Sequence, residues 1–161
     1  MNWGSWLFGF AGKATARGIL LFALLGFVSP AWAALGDNSA SVQADSARMN
    51  GALRSTSNAR YTIQEIRTSN GQTVREFVSP GGSVFGVAWD GPTTPDLQQL
   101  LGSYFEQFRQ ASEQRQHPPR GPLAIETPTL VVQQSGHLRA FRGRAYLPTA
   151  LPSGVQSSEI Q

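Results

Sequence analysis

Two glutamates and a short run of arginines are the side chains of this sequence best placed to do chemistry. Glu65 and Glu76 flank Asn70-Gly71. That dipeptide predicts a two-residue type I′ hairpin, because such a turn needs positive φ at both central positions. If Asn70 and Gly71 are the whole loop, Ser69 pairs with Gln72 and Glu65 falls directly opposite Glu76. The two acids then share the more apolar face with Tyr61, Ile63, Val74 and Val78. A close carboxylate pair in apolar surroundings raises one pKa and can serve as general acid and base. Like charges directly opposite each other are also unfavourable. Open water, neutralisation by Arg67 or a bulge that shifts the register are therefore the plainer readings of the same pair.

The second group is His137-Leu138-Arg139-Ala140-Phe141-Arg142-Gly143-Arg144-Ala145-Tyr146, the one basic cluster of the chain. As a strand it divides its charges. Arg139 goes with His137, and Arg142 with Arg144 and Tyr146. Planar guanidinium groups beside an aromatic ring suit an acidic glycan, a lipid phosphate or a peptide carboxylate. A solvated face paired with nearby acids is the simpler alternative. Arg142, Arg144 and Tyr146 are the candidate ligand-binding residues. His117 and His137 lie far apart and show no H-x-x-x-H or H-E-x-x-H spacing, so no metal site is expected. No G-x-S-x-G elbow, P-loop or dinucleotide-binding glycine pattern occurs, so neither a catalytic set nor a cofactor site is expected.

The first 33 residues have the layout of an export signal. Lys13 and Arg17 precede an apolar run from Gly18 to Val28, and Ser29-Pro30 leads to Ala31-Trp32-Ala33. Positive charge, an apolar run of about ten residues and a small-residue A-x-A site are the layout of a cleavable signal peptide, and an uncleaved membrane anchor is the rival reading, for which the apolar run is short. The expected cut lies between Ala33 and Ala34. It places the protein in the periplasm or outside the cell and leaves no stable membrane span, since no second apolar run is long enough. The remaining chain has eleven arginines, no lysine and ten acids, a net charge near +1. That balance gives no ground for a nucleic-acid partner. The sequence has no cysteine, which excludes disulfides, thiol chemistry and a lipid anchor on cysteine.

Several elements must position these groups. Asp37 to Leu53 carries a narrow apolar stripe at Val42, Met49 and Leu53 and predicts a weak helix, ended by Gly51 and Ser55-Thr56-Ser57-Asn58. Tyr61 to Thr68, Thr73 to Val78 and Val84 to Trp89 predict a three-stranded meander, with Ser79-Pro80-Gly81-Gly82 as its second turn. Thr94 to Ala111 is the clearest helix. Thr94 stands at the cap, and Leu97, Leu100, Leu101, Tyr104, Phe105 and Phe108 form one face that packs on the sheet. His117-Pro118-Pro119-Arg120-Gly121-Pro122 is a stiff loop. Thr129 to Gln133 and Leu138 to Leu147 predict a hairpin joined by Ser135-Gly136. The expected class is α+β: an antiparallel β-meander with an amphipathic helix packed on it, an N-terminal helix and a C-terminal hairpin. The expected organisation is a signal peptide over 1–33, one domain over 34–150 and a flexible polar tail over 151–161.

Four segments taken in order carry a family resemblance: Val74-Arg75-Glu76-Phe77-Val78-Ser79-Pro80-Gly81-Gly82, Val84-Phe85-Gly86-Val87-Ala88-Trp89-Asp90-Gly91-Pro92, Asp96-Leu97-Gln98-Gln99-Leu100-Leu101-Gly102-Ser103-Tyr104-Phe105 and Arg142-Gly143-Arg144-Ala145-Tyr146-Leu147-Pro148. Together they resemble domain-of-unknown-function family 2844, short exported proteobacterial proteins. The resemblance implies an exported bacterial protein and carries over no catalytic residue. The reading that fits is a non-enzymatic envelope domain that binds an envelope protein or polymer or serves as an accessory. The alternative is an enzyme acting on an envelope polymer through Glu65 and Glu76.

Overall fold

The computed structural model of the chain describes residues 35–39, 41–115 and 122–161. The signal peptide and its cleavage site lie outside the described residues, as do His117 and the loop as far as Gly121. The architecture is α+β, built on a seven-stranded antiparallel sheet. Helix α1 (Ser41–Arg48) is followed by β1 (Gly51–Ser57), β2 (Thr62–Thr68), β3 (Thr73–Val78) and β4 (Val84–Gly91). Helix α2 (Leu97–Leu101), a 3₁₀ turn (Gly102–Tyr104) and α3 (Phe105–Glu113) come next. Strands β5 (Leu123–Glu126), β6 (Val131–His137) and β7 (Ala140–Tyr146) complete the sheet. Its strand order is β1-β2-β3-β4-β7-β6-β5, so β7 pairs with β4 and joins the C-terminal strands to the meander.

The hairpin between β2 and β3 differs from the expected two-residue turn. Thr68 N–H donates to Gln72 O at 2.9 Å, and Gly71 N–H donates to Thr68 O at 3.1 Å. Ser69, Asn70 and Gly71 therefore form a three-residue loop. Only Gly71 of the three has positive φ, at 86°, the left-handed position that closes such loops. The extra residue moves the register by one. Glu65 now faces Arg75, and Glu76 faces Gln64. A one-residue shift sends side chains to opposite faces of the sheet. The expected Glu65–Glu76 pair therefore does not form.

One face of the sheet is covered by helices. Ile66, Val74, Val78, Val84, Val87, Trp89, Val132 and Ala145 pack there against Leu35, Val42, Leu100 and Leu101, all buried. Leu97, Tyr104, Phe105 and Phe108 join this core as partly buried residues, as the apolar stripe predicts. The helix does not begin as expected. Its cap is Asp96, whose Oδ1 accepts from Gln98 N at 2.9 Å and Gln99 N at 3.2 Å. Thr94 instead accepts from the Gln134 side chain. The helical path is broken at Gly102, where the 3₁₀ turn begins.

Three further differences concern the outer parts of the fold. The expected N-terminal helix stops at Arg48, and its second half is strand β1. This strand is at the sheet edge and almost wholly exposed, so neither face needs apolar residues and no period-two pattern arises. The β6–β7 turn falls at Leu138-Arg139, between the paired residues His137 and Ala140, while Ser135 and Gly136 are paired inside the ladder. The tail expected to be flexible is docked. Val155 and Ile160 are buried with Tyr61, Phe77, Phe85 and Ala88 on the second face of the sheet. Ile160 lies so close over Gly86 that a Cβ there would meet its Cδ1 at 2.9 Å. The reason is the second face itself: three aromatic rings need a cover, and the tail supplies it.

Two stability tests follow. Gly71→Val places a β-branched residue at positive φ and should cost more than about 1 kcal/mol in urea unfolding. Unchanged stability would contradict the three-residue loop. Ile160→Ala should cost about 2–5 kcal/mol, the range for a fully buried aliphatic side chain. A loss below about 0.5 kcal/mol would mean that the tail is not docked.

Candidate functional site

The expected strip Arg142, Arg144 and Tyr146 lies on the tail-bearing face of β7, but its three members have separate tasks. The Arg144 guanidinium donates to Gln133 Oε1 at 3.0 and 2.8 Å and to the Ser157 carbonyl at 2.8 Å. It also lies 5.9 Å from the centre of the Tyr146 ring. Arg144 thus fastens the tail to the sheet. Tyr146 packs beside the tail cluster as a partly buried residue. Arg142 is exposed, and its side chain makes no hydrogen bond or ion pair with a described residue.

Several charges around Arg142 are paired. Directly opposite it across β4 stands Asp90, whose Oδ1 is held by Arg75 Nη1 at 2.8 Å. Arg75 also donates to Glu65 at 3.0 Å, and Glu65 accepts from Arg67 at 2.8 Å. Burial works to raise the Glu65 pKa, but the Arg67 and Arg75 guanidinia outweigh it and hold the carboxyl below its ordinary value. Glu65 is therefore a charged strut and not a proton carrier at neutral pH. Arg142 reaches a cleft of about 460 Å³ beside the tail, lined in part by Leu123, Gln133, Ser135 and Ile160. It also borders a smaller recess of about 320 Å³ with Arg75 and Asp90. A third recess, of about 510 Å³, is lined by Arg142 with Asp90, His137 and Arg139. An exposed guanidinium bordered by these recesses can take a planar anion, with the Gln133 and Ser135 side chains near it.

The other glutamate occupies the opposite face. Glu76 is 1 % exposed in the middle of β3, and neither carboxylate oxygen meets a hydrogen-bond donor among the described residues. Val74 and Val78 flank it on the strand, with Gln64 and Val87 as its cross-strand partners. Burial first, and the nearby Asp45 charge second, push its pKa up to about 8. Asp45 on α1 is itself fully buried and accepts from Gln99 Nε2 at 2.7 Å. The carboxylate pair of this protein is thus Asp45–Glu76. The sequence carried a signal for it, since Asp45 lies three residues after Val42 and four before Met49, on the apolar stripe of its own helix. His137 is exposed, with Nδ1 3.3 Å from the Leu138 carbonyl oxygen. Among the described residues, no three His, Cys, Asp or Glu side chains converge to hold a metal ion.

A buried acid that keeps its proton at pH 7 links stability to pH. The folded-state pKa of Glu76 lies above the ordinary 4.5, so the folded chain binds the proton more tightly than the unfolded one. The resulting stability is fully present below about pH 4.5 and is lost as the pH rises through about 8. Glu76→Gln should flatten that loss and make the protein more stable than the parent at pH 9, by about 2–4 kcal/mol. Urea unfolding of both proteins at pH 5 and pH 9 measures it. Parallel pH profiles would contradict the buried acid.

No curated protein and no solved structure matches the chain. The family comparison matches residues 31–160, which include both strands that carry the glutamates, the capped helix and the arginine strand. The chain therefore belongs to the family described as protein of unknown function (DUF2844).

Proposed function

We propose that this protein is exported, works in the periplasm or outside the cell, and is a non-enzymatic binding or accessory domain for an anionic envelope component. The observation that carries the reading is Arg142, an exposed guanidinium with no acid paired to it among the described residues, bordered by three recesses. Its neighbours Arg75 and Arg144 are already engaged in holding the sheet and the tail. Carboxylate or phosphate groups of an envelope polymer or protein match a free planar cation. Export rests on the charge, apolar run and A-x-A site of the first 33 residues. The enzyme alternative required Glu65 and Glu76 to act together. The sheet lies between them, and no other observation favours that reading.

Two measurements test the proposal. Intact mass of the protein recovered from cells should correspond to a chain that starts at Ala34, and a mass that includes residues 1–33 would contradict export by cleavage. Capture from an envelope extract by the mature protein tests the binding site. Arg142→Ala should weaken capture about tenfold or more while leaving the melting temperature near that of the parent. Arg144→Ala should instead lower the melting temperature, because it frees the tail. Undiminished capture by Arg142→Ala would remove the basis for this site.

A further inference from the structure

We propose that Glu76 and Asp45 form a proton-held latch, which keeps α1 seated on the sheet in acidic surroundings and lets it lift as the pH rises. The geometry carries this. Helix α1 has eight residues, too few to be stable without tertiary contacts. Among its described side chains, Val42 and Asp45 are buried. One of these two anchors is a carboxylate set near a second carboxylate that has no donor among the described residues.

Among the described residues, no cation pairs with Glu76. The facing residues of β2 are Gln64 and Ile66, and those of β4 are Val87 and Trp89. On the helical side stand Leu100, Leu101 and Gln99, whose amide is committed to Asp45. Asp96 caps α2 from an exposed position, and Asp37 is exposed before α1. Arg48 ends α1 on the solvent side. Ionising Glu76 in this setting costs desolvation and repulsion from Asp45. Lifting α1 admits water and restores an ordinary carboxyl. The lifted state therefore binds fewer protons than the seated one and gains up to about tenfold per pH unit between the two pKa values.

The chain on both sides of α1 is fixed, so the movement is local. Before it, Leu35 N–H donates to Leu100 O at 3.0 Å, and Gly36 N–H donates to Val84 O at 2.8 Å. Val84 N–H donates to Asp37 O, and Ser39 N–H to Gly82 O, each at 2.8 Å. After it, β1 is held along its length by β2. The tie at the helix end is Ser46 Oγ to Gly51 O at 2.9 Å. Lifting between these anchors uncovers apolar side chains of the helix-covered face while the sheet stays intact.

Hydrogen exchange of the intact mature protein between pH 5.5 and 7.5, corrected for intrinsic rates, tests the latch. Protection of residues 42–48 should fall by several-fold to tenfold per pH unit. It should also stay at least about tenfold below that of β3 and β4 throughout, because α1 opens without global unfolding. Glu76→Gln, which mimics the protonated acid, should abolish the fall. If that variant does not fold, Asp45→Asn should make the fall smaller and end it at a lower pH, because it removes the repulsion that helps raise the seated-state pKa of Glu76. Constant protection of α1 across this range would overturn the proposal. So would one shared protection factor for α1, β3 and β4, or a fall that persists in Glu76→Gln.

Discussion

The register of one hairpin decides where the charges of this protein go. Gly71 in the left-handed region closes a three-residue loop, and the pairing of β2 with β3 follows from it. Glu65 is thereby placed beside Arg75 on one face, and Glu76 is turned into the core on the other. A loop one residue shorter would exchange the neighbours of every side chain on β3. The ion-paired ladder Arg67–Glu65–Arg75–Asp90 and the buried acid are two consequences of the same turn.

The two faces solve the burial problem differently. Helices cover one, with Leu100 and Leu101 at the centre and Val42 beside them. An eleven-residue tail covers the other, with Ile160 set over Gly86 and the tail carbonyls held by Arg144. Glu159 adds an ion pair to Arg60 at 3.0 Å and accepts from the Tyr61 hydroxyl at 3.1 Å. This use of Arg144 and Glu159 leaves Arg142 as the open cation of the strand. The same economy explains why three residues that share a face in the sequence do not share a role.

Much of the fold was legible in the sequence. Strand β3 falls where the alternation places it, and the stripe from Leu97 to Phe108 packs as its spacing requires. What escaped has physical reasons. Strand β1 is a wet edge with no apolar alternation, and β5 has four residues. The β6–β7 turn uses Leu138-Arg139, which carries no glycine to mark it. The tail reads as loose because only Val155 and Ile160 of its last nine residues are apolar, yet those two supply its buried contacts. The candidate site was half legible. Strand parity puts Arg142, Arg144 and Tyr146 on one face of β7, as they lie, whereas one residue of register separates Glu76 from the expected partner Glu65. Asp45 was visible as a carboxylate on an apolar stripe, but only the fold shows that Glu76 lies beneath it.

The central claim is that one turn gives two neighbouring glutamates opposite electrostatic fates. Carbon-13 NMR of the side-chain carboxyls, titrated from pH 2 to pH 10, reads Glu65 and Glu76 separately in the same sample. The account predicts a Glu76 midpoint near 8 and a Glu65 midpoint below the ordinary 4.5. Two midpoints together in the ordinary carboxylate range would contradict both the burial of Glu76 and the register that produces it.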